Sequence, residues 1–377
     1  MKILYFSRTY TTHDHRFLRK IAESQHEVIF LRLEDDGLKY EMRPLPPGVR
    51  EVRWEEGQRS GKTPESCLAL MPEFTRVLEE VRPDLVHAGP VQSCGFITAL
   101  SGFHPWLLMS WGSDILVDSD RDPLWRWISR FTLNHADMLQ CDCQAVQDKV
   151  QQLSPFPSSH IIQFPWGVDS LQLTPSADLL GIRRHLGWEN AFVILSTRSW
   201  EPIYGLEVLL EAFRLAFAEN SGIRLLMLGD GSLSARIHQF LEQHGLGQVV
   251  SCPGPVSQED MPYYYRAADL YLSCSDSDGT SVSLLEAMAT GLPVVLTDLP
   301  GNREWVVSGE NGWLAPRGDA RAFSQLLLQV ASLGPEERQK FFEVNRKIVA
   351  ERANWPENFK KLLNAYDQLA LPPQKRN

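Results

Sequence analysis

The sequence has no long hydrophobic run and no excess of basic residues, and its opening residues do not predict a signal peptide. No apolar stretch approaches the roughly 20 residues of a membrane-spanning helix. The formal net charge of -10 at pH 7 argues against nonspecific binding to nucleic acid, because such binding requires a basic surface. The opening MKILYFSRTY lacks the apolar core and cleavage site of a leader. We therefore expect a cytoplasmic protein, with a peripheral contact at the inner face of the membrane left open.

Closely spaced cysteine pairs and metal-ligand clusters are also missing. Of the six cysteines, only Cys141 and Cys143 are near each other, and they lack the CxxC spacing. We expect buried free thiols in a reducing compartment. Since no His, Cys or acidic cluster has metal-ligand spacing, we expect neither a metal nor a resident cofactor.

What is present is a regular alternation of short apolar runs and amphipathic segments, which is typical of β/α units with parallel sheets. A length of 377 residues suggests two domains. Strands are predicted in two series, at 2–7, 27–33, 85–89, 106–111 and 138–142, and at 192–198, 224–229, 249–254, 270–275 and 293–298. The turn-rich segment QFPWGVDSLQLTPS (163–176) between them is the predicted linker. The fold class is therefore α/β, with two Rossmann-like domains whose ligands lie beyond the carboxyl ends of the strands.

Two familiar nucleotide-binding motifs are incomplete. MLGDGSLSARI (227–237) offers Gly229 and Gly231, but Ser234 stands where a GxGxxG fingerprint needs its third glycine. SGKT (60–63) lacks the leading glycine and the preceding strand of a P-loop. Hydride transfer and P-loop phosphoryl transfer are therefore not favoured.

The stretch CSDSDGTSVSLLEAMATGLPVV (274–295) carries a stronger signal. A strand runs into a polar loop, after which Thr280 or Ser281 can cap a helix. Helix N-termini bind phosphate through outward-pointing amides and the positive end of the macrodipole. Glu286 lies too deep to cap, so it is either a surface residue or an inward carboxylate for a vicinal diol. Arg198 follows another strand and would supply a cation for a diphosphate.

The chain resembles the retaining nucleotide-sugar glycosyltransferases of family 4, which have the GT-B fold. The resemblance is carried, in this order, by DHRFLRKIAESQHEVIFL, RPDLVHA, WGSDIL, PWGVD, STRSWEPIYGLEVLLEAF, LLMLGDG, AADLYLSCS, LLEAMATGLPVV and NREWV...ENGWL. It implies two domains facing a cleft, residues 1–165 for the acceptor and 166–355 for the donor. The helical segment at about 356–377 would complete the first domain.

The resemblance also implies roles for individual residues. Glu286 matches the second glutamate of the family's Glu-x7-Glu element and would hold the donor ribose. Asp278 stands at the first, one methylene shorter, and would contact the donor sugar. Tyr204 occupies the position of the family's diphosphate-binding lysine, which leaves Arg198 or another basic residue such as Arg303 to supply the charge. Trp111 replaces the histidine of the HGxD loop.

The resulting prediction is a metal-independent, hexosyltransferase-like enzyme. It would move a sugar from a nucleotide-sugar donor, with a UDP-sugar as the working expectation, to a glycan, lipid-linked or small-molecule acceptor. The predicted catalytic residues are Asp278, Arg198 and His13. The predicted donor-binding residues are Glu286, Arg198, Tyr204, Gly279, Thr280, Ser281, Val282, Ser283, Gly254 and Gly231. The predicted acceptor-binding residues are Asp14, Trp111, Ser113 and Asp114.

Several alternatives stay open. A GT-B-like scaffold without catalysis, or a nucleotide-sugar epimerase or hydrolase, fits the substitutions at 278, 204 and 111. Asp14 could instead belong to a helix start capped by Thr11 or Thr12, and Asp114 could cap its own helix. His87 reads as a buried, satisfied histidine. The Arg- and Trp-rich segment 123–133 is either a core-packing helix or a membrane-surface helix. The base, the sugar, the acceptor and the oligomeric state are not disclosed by the sequence.

Overall fold

The computed structural model of the chain describes residues 1–34, 41–54, 63–168 and 180–371. The chain folds into two units, Met1–Pro165 with Glu357–Asn377 and Trp166–Pro356. Each unit has its own parallel sheet. Most of the predicted linker, from residue 169 onward, lies outside the described residues.

The first unit is built on a seven-stranded sheet in the order β3-β2-β1-β4-β5-β6-β7, with every pairing parallel. The strands are β1 (Lys2–Ser7), β2 (Glu27–Arg32), β3 (Val49–Val52), β4 (Leu85–Gly89), β5 (Trp106–Met109), β6 (Met138–Cys141) and β7 (Ile161–Gln163). The helices are α1 (Thr12–Ala22), α2 (Pro64–Ala69), α3 (Met71–Val81), α4 (Phe96–Ser101), α5 (Ser113–Leu116), α6 (Pro123–His135), α7 (Gln144–Leu153) and, from Glu357 onward, α16 (Trp355–Ala370). A π-helical turn spans Val91–Gly95, and 3-10 turns span Asp118–Asp120 and Ser158–His160.

From Glu357 onward, the helix α16 belongs to the first unit, although these residues come after the whole second unit. Phe359 packs against Phe17 of α1 with ring centroids 5.9 Å apart. The hydroxyl of Tyr366 is 2.6 Å from Nδ1 of His87 on β4, and both residues are buried. His87 is therefore the buried, partnered histidine that the sequence suggested, and burial lowers its pKa to about 3.

The second unit has a six-stranded parallel sheet in the order β10-β9-β8-β11-β12-β13. Its strands are β8 (Phe192–Ser196), β9 (Ile223–Leu228), β10 (Val250–Gly254), β11 (Leu270–Ser273), β12 (Val294–Thr297) and β13 (Trp313–Ala315). Its helices are α8 (Leu180–Leu186), α9 (Leu206–Glu219), α10 (Ser234–Gln243), α11 (Met261–Arg266), α12 (Val282–Ala289), α13 (Pro300–Arg303), α14 (Ala320–Ala331) and α15 (Pro335–Arg352), with a 3-10 turn at Pro202–Tyr204.

The prediction of two parallel-sheet, Rossmann-like domains is confirmed. Each predicted strand is present, but most end one or two residues earlier than expected, because the polar residues at their ends begin the loops. The strands β3, β7 and β13 were not predicted. All three are edge strands of three or four residues, too short to show a clear apolar run.

Candidate functional site

Two loops of the second unit meet where the order of its strands reverses. The sequence-consecutive strands run outward from β8 through β9 to β10, and β11 begins the other half on the opposite side of β8. Ligands of open α/β sheets bind at such a switch point, beyond the carboxyl ends of the strands. The loops that follow β8 and β11 are in contact, since the amide of Asp276 donates to the carbonyl of Ile203 at 2.8 Å.

Gly205 makes this close approach possible. Its φ is +60°, and a Cβ added there would lie 2.0 Å from the carbonyl oxygen of Cys274. Only glycine has both the conformational freedom and the missing side chain that the position needs. Because position 205 has no side chain, the 3-10 turn that carries Tyr204 can pack directly against the loop after β11.

Arg198, in the loop after β8, is the centre of a buried polar cluster. Its Nη2 lies 2.9 Å from Oδ1 of Asp278, and the two side chains are 10% and 13% exposed. Its Nη1 donates to Oγ of Ser281 at 2.5 Å and to Oγ of Ser283 at 3.1 Å. Its guanidinium carbon lies 4.2 Å from the ring centroid of Tyr204. Five of the predicted site residues therefore form one contact group.

The electrostatics of this cluster follow from a buried ion pair. Burial by itself would lower the pKa of Arg198, but the charge of Asp278 outweighs it, so the guanidinium remains a cation. Burial raises the pKa of the Asp278 carboxyl, while Arg198 opposes that rise. Asp278, whose side chain is one methylene shorter than that of a glutamate, thus uses part of its hydrogen-bonding capacity to bind Arg198.

The helix α12 begins directly at this cluster. Ser281 is its N-cap, with a hydroxyl that accepts from the Leu284 amide at 3.4 Å as well as from Arg198. Of the two cap candidates Ser281 is therefore the one used, because the hydroxyl of Thr280 instead accepts from Trp305 Nε1 at 3.2 Å. The guanidinium and the positive end of the helix dipole meet at one place, an arrangement suited to an anion.

Glu286 lies at the start of the second turn of α12 and is partly buried. Its Oε2 accepts a hydrogen bond of 2.9 Å from the hydroxyl of Tyr265, whose side chain is fully buried. This hydrogen bond to a buried tyrosine favours the inward carboxylate over an ordinary surface residue. A carboxylate held by a buried donor has a fixed orientation.

The remaining predicted donor residues are more dispersed. Gly279 is buried beside Gly301, where an added Cβ would lie 2.6 Å from the Gly279 carbonyl. Val282 packs against the core. Gly231 lies in the loop after β9 instead, and Gly254 is the last residue of β10. Arg303, the suggested substitute cation, is exposed and pairs with both carboxylate oxygens of Asp298 at 2.5 and 2.8 Å.

In the first unit, two of the predicted residues come together. His13, near the start of α1, and Trp111, after β5, have ring centroids 5.9 Å apart in an edge-to-face arrangement. Ser113, the first residue of α5, is partly exposed nearby in the chain. His13 and Trp111 thus form a contact between the loops at the carboxyl ends of β1 and β5.

The two aspartates predicted to bind an acceptor are buried and already bonded. Asp14 forms a capping box with Thr11 and also accepts from the Tyr5 hydroxyl at 3.1 Å. Asp114 accepts from the amides of Val91 and Trp111 at 3.1 and 3.0 Å. Burial raises the pKa of each to about 6. Both carboxylates organise their loops, so the helix-start interpretation holds for Asp14.

The structure adds residues that sequence reasoning missed. Tyr265 holds Glu286, and the hydroxyl of Tyr271 is 2.8 Å from that of Ser283. Thr197 lies 3.3 Å from the Tyr265 hydroxyl. Tyr271 lies in the apolar run LYLS, which predicts a core residue, and Tyr265 is the last of three consecutive tyrosines. In neither case does the sequence indicate which group the hydroxyl contacts. Within residues 1–34, 41–54, 63–168 and 180–371, no group of three His, Cys, Asp or Glu side chains could hold a metal ion. None of the helices in these ranges combines the length and the hydrophobicity of a transmembrane span.

Two Rossmann-like units, with an arginine and a helix N-terminus at the switch point of the second, match the architecture of GT-B glycosyltransferases. The family model described as glycosyl transferases group 1 matches residues 182–348, and the model described as glycosyl transferase 4-like matches residues 2–143. The chain therefore belongs to the family 4 type of glycosyltransferases with the GT-B fold.

Individual relatives agree with this assignment. The amylovoran biosynthesis glycosyltransferase AmsK of Erwinia amylovora is 33% identical over 183 residues, which are 47% of this chain and 43% of AmsK. The D-inositol 3-phosphate glycosyltransferase of Corynebacterium urealyticum is 26% identical over 371 residues, covering 90% of this chain and 85% of that protein. The chain spans less than half the length of the curated relatives that it matches at 33–36% identity.

A solved structure supports the fold over the whole chain. Anabaena HepE, crystallised in complex with UDP-glucose, has a TM-score of 0.81 at 19% identity, covering 97% of this chain and 99% of HepE.

Proposed function

We propose that the protein is a retaining glycosyltransferase that transfers a sugar from a nucleotide-sugar donor to an acceptor hydroxyl. One observation carries the proposal. A buried arginine and two serine hydroxyls lie together at the N-terminus of α12, and a positioned carboxylate follows one turn later. The UDP-glucose complex of HepE supports a UDP-sugar as the donor.

The chemistry requires charge stabilisation more than acid–base catalysis. When the bond to the sugar breaks, negative charge develops on the leaving diphosphate. Arg198 and the first amides of α12 are fixed dipoles and charges that would stabilise it without reorganising. Glu286 would accept hydrogen bonds from the ribose diol, and Asp278 would contact the sugar. In a retaining reaction, a departing phosphate oxygen takes the acceptor proton, so the protein mainly supplies orientation. No metal is needed in this scheme.

Tyr204 has a defined role in this proposal although it replaces the family's lysine. Its ring covers one side of the Arg198 guanidinium at 4.2 Å from the centroid. Such a stack holds an arginine through cation–π attraction and keeps its nitrogens directed at their partners. We propose that one well-oriented arginine replaces the arginine–lysine pair of the family.

For the acceptor we propose the first unit, with His13 and Trp111 as the surface that a glycan, a lipid-linked sugar or a small hydroxylated molecule would contact. The edge-to-face contact of the two rings, at 5.9 Å between centroids, supports this placement. Asp14 and Asp114 would act through the loops that they hold together.

A cytoplasmic location and a peripheral membrane contact are further parts of the proposal. All six cysteines are free, which supports a reducing compartment. Helix α6 buries Ile128 and Leu133 but leaves Leu124 and Trp127 48% and 54% exposed, next to exposed Arg130. Aromatic and basic side chains on one exposed face suit an anionic lipid surface. Trp127→Ser should reduce cosedimentation with anionic vesicles, whereas Tyr263→Ser, which changes an equally exposed ring of the second unit, should not.

The test of the donor site is a thermal-shift screen with UDP, GDP, ADP, TDP and CDP and their common sugars. A ligand that binds the native state raises the melting temperature according to its concentration and Kd. We expect one nucleotide to stabilise the wild type and to lose its effect in Glu286→Ala. Glu219→Ala, an exposed change on α9, serves as the matched control and should keep the shift.

Turnover distinguishes the alternatives. Release of nucleoside diphosphate that requires an acceptor supports a transferase, and release in water alone supports a hydrolase. Absence of any nucleotide-dependent shift would contradict the donor site and favour a scaffold.

A further inference from the structure

A buried tyrosine hydroxyl lies against the carboxylate of Glu286. Tyr265, in α11, is fully buried, and its hydroxyl is 2.9 Å from Oε2 of Glu286. The same oxygen is 3.2 Å from the carbonyl of Ser283 and 3.3 Å from Oγ1 of Thr197. One phenol therefore contacts the loop after β8 and the first two turns of α12.

The hydrogens of this group can be assigned from its chemistry. The phenol has one hydrogen to donate, and both Glu286 and the Ser283 carbonyl can only accept when the carboxylate is ionised. An ionised carboxylate is the stronger acceptor. The Thr197 hydroxyl can donate to the phenol oxygen in turn. Burial, together with the charge of Glu286, raises the pKa of Tyr265 well above its usual value, so it stays a donor across the physiological range.

We infer that Tyr265 is the positioning residue that fixes the Glu286 carboxylate for the donor ribose. This inference rests on the proposed function, because it presupposes that Glu286 binds the ribose hydroxyls. A glutamate near the start of a helix has several side-chain rotamers, and binding a diol requires one of them. The hydrogen bond from Tyr265 selects that rotamer before the nucleotide binds. The entropy cost of fixing the Glu286 side chain therefore falls on folding and not on nucleotide binding.

Tyr271 provides a matched control in the same cluster. It is also fully buried, and its ring centroid is 6.3 Å from that of Tyr265. Its hydroxyl bonds the hydroxyl of Ser283 at 2.8 Å. Replacing either tyrosine by phenylalanine removes one buried hydroxyl from the same core, but only the change at 265 removes the bond to Glu286.

The experiment compares a ribonucleotide with its deoxy analogue. Kd values for UDP and 2′-deoxy-UDP are measured by calorimetry on wild type, Tyr265→Phe, Tyr271→Phe and Glu286→Ala. If the nucleotide screen selects another base, its diphosphate and 2′-deoxy diphosphate replace the uridine pair. We expect the wild type to prefer the ribonucleotide. Tyr265→Phe should lose about 3- to 10-fold of that preference, the range typical of one hydrogen bond, with little change in the deoxy Kd. Tyr271→Phe should keep the preference.

A double-mutant cycle separates positioning from general loosening of the fold. If Tyr265 acts through Glu286, adding Tyr265→Phe to Glu286→Ala should not change the ribose preference further. If Tyr265→Phe is too unstable to titrate, Thr197→Val, which removes the hydroxyl that donates to the phenol, takes its place with a smaller expected loss.

The outcomes are distinguishable. An unchanged preference in Tyr265→Phe, or an equal weakening of both nucleotides, overturns the inference and leaves the donor site in place. A wild type that binds none of the nucleotides overturns the proposed function, and the inference with it.

Discussion

Replacing Asp278 by asparagine should lower stability and raise nucleotide affinity at the same time. In the structure, Asp278 neutralises Arg198 inside the protein, with the two side chains 13% and 10% exposed. Removing one partner of a buried ion pair leaves the other charge uncompensated, at a cost of about 3–5 kcal/mol. An asparagine still accepts one hydrogen bond from Arg198, so we expect a cost at or just below the lower limit of this range, about 2–3 kcal/mol.

This cost corresponds to a fall in Tm of about 4–12 °C for a domain of this size, at about 2–4 °C per kcal/mol. In the variant, a diphosphate no longer competes with a carboxylate for Arg198. The Kd for UDP should therefore decrease, and UDP should recover much of the lost Tm. Sugar transfer should slow, because the proposed sugar contact loses its charge.

The measurements are calorimetric melts with and without UDP, together with titration of UDP. Asp276→Asn is the control, because Asp276 pairs with Arg317 at 2.8 Å on the surface, where the side chains are 35% and 63% exposed. Exposed pairs contribute about 0–1 kcal/mol, so this variant should melt close to wild type. Equal losses of Tm in the two variants, or weaker UDP binding in Asp278→Asn, would refute the reasoning.

Three further changes test other parts of the structure. Burial raises the pKa of Asp14 to about 6 from 3.8, so stability from its protonated form is present below about pH 4 and is lost as the pH rises through 6. The unfolding free energy of wild type relative to Asp14→Asn should thus fall by up to about 3 kcal/mol between pH 4 and 6.5. Thermal melts across that pH range would measure the difference, and a difference that does not change with pH would contradict the prediction. Gly205→Ala should lower Tm and weaken UDP binding, because the added Cβ would lie 2.0 Å from the carbonyl oxygen of Cys274. The control Gly245→Ala, at an open site of similar φ, should lower Tm less and leave UDP binding intact. Tyr366→Phe should destabilise the first unit by about 1–3 kcal/mol because buried His87 loses its partner; denaturant unfolding would measure this, with Tyr263→Phe on the surface as control.

The sequence predicts the fold well because parallel strands buried on both faces are continuous apolar runs, such as KILYFS and FVILS. It does not predict β3, whose residues VREV place two charged side chains between two valines at a sheet edge. The loop after β11 and the cap of α12 are local features, so they are readable from consecutive residues. The pairing of Arg198 with Asp278 joins positions 80 residues apart, and only the strand order brings them together.

The same limit explains why Asp14 was left with two interpretations and why Tyr265 was missed. A carboxylate in a post-strand loop has the same sequence signature whether it faces a ligand or caps its own helix. Tyr265 is the last of three consecutive tyrosines, and both its burial and the partner of its hydroxyl depend on tertiary packing. A role that depends on where one side chain points can therefore be assigned only from the structure.

The bond between His87 and Tyr366 spans 279 positions of the sequence. During synthesis, the first unit emerges from the ribosome long before α16, and the second unit is made in between. Until residues up to Ala370 are available, Phe17 and His87 lack the helix that covers them, and their apolar surroundings stay open to chaperones or to aggregation. A truncation before Trp355 would therefore impair the first unit while leaving intact the sheet of the second.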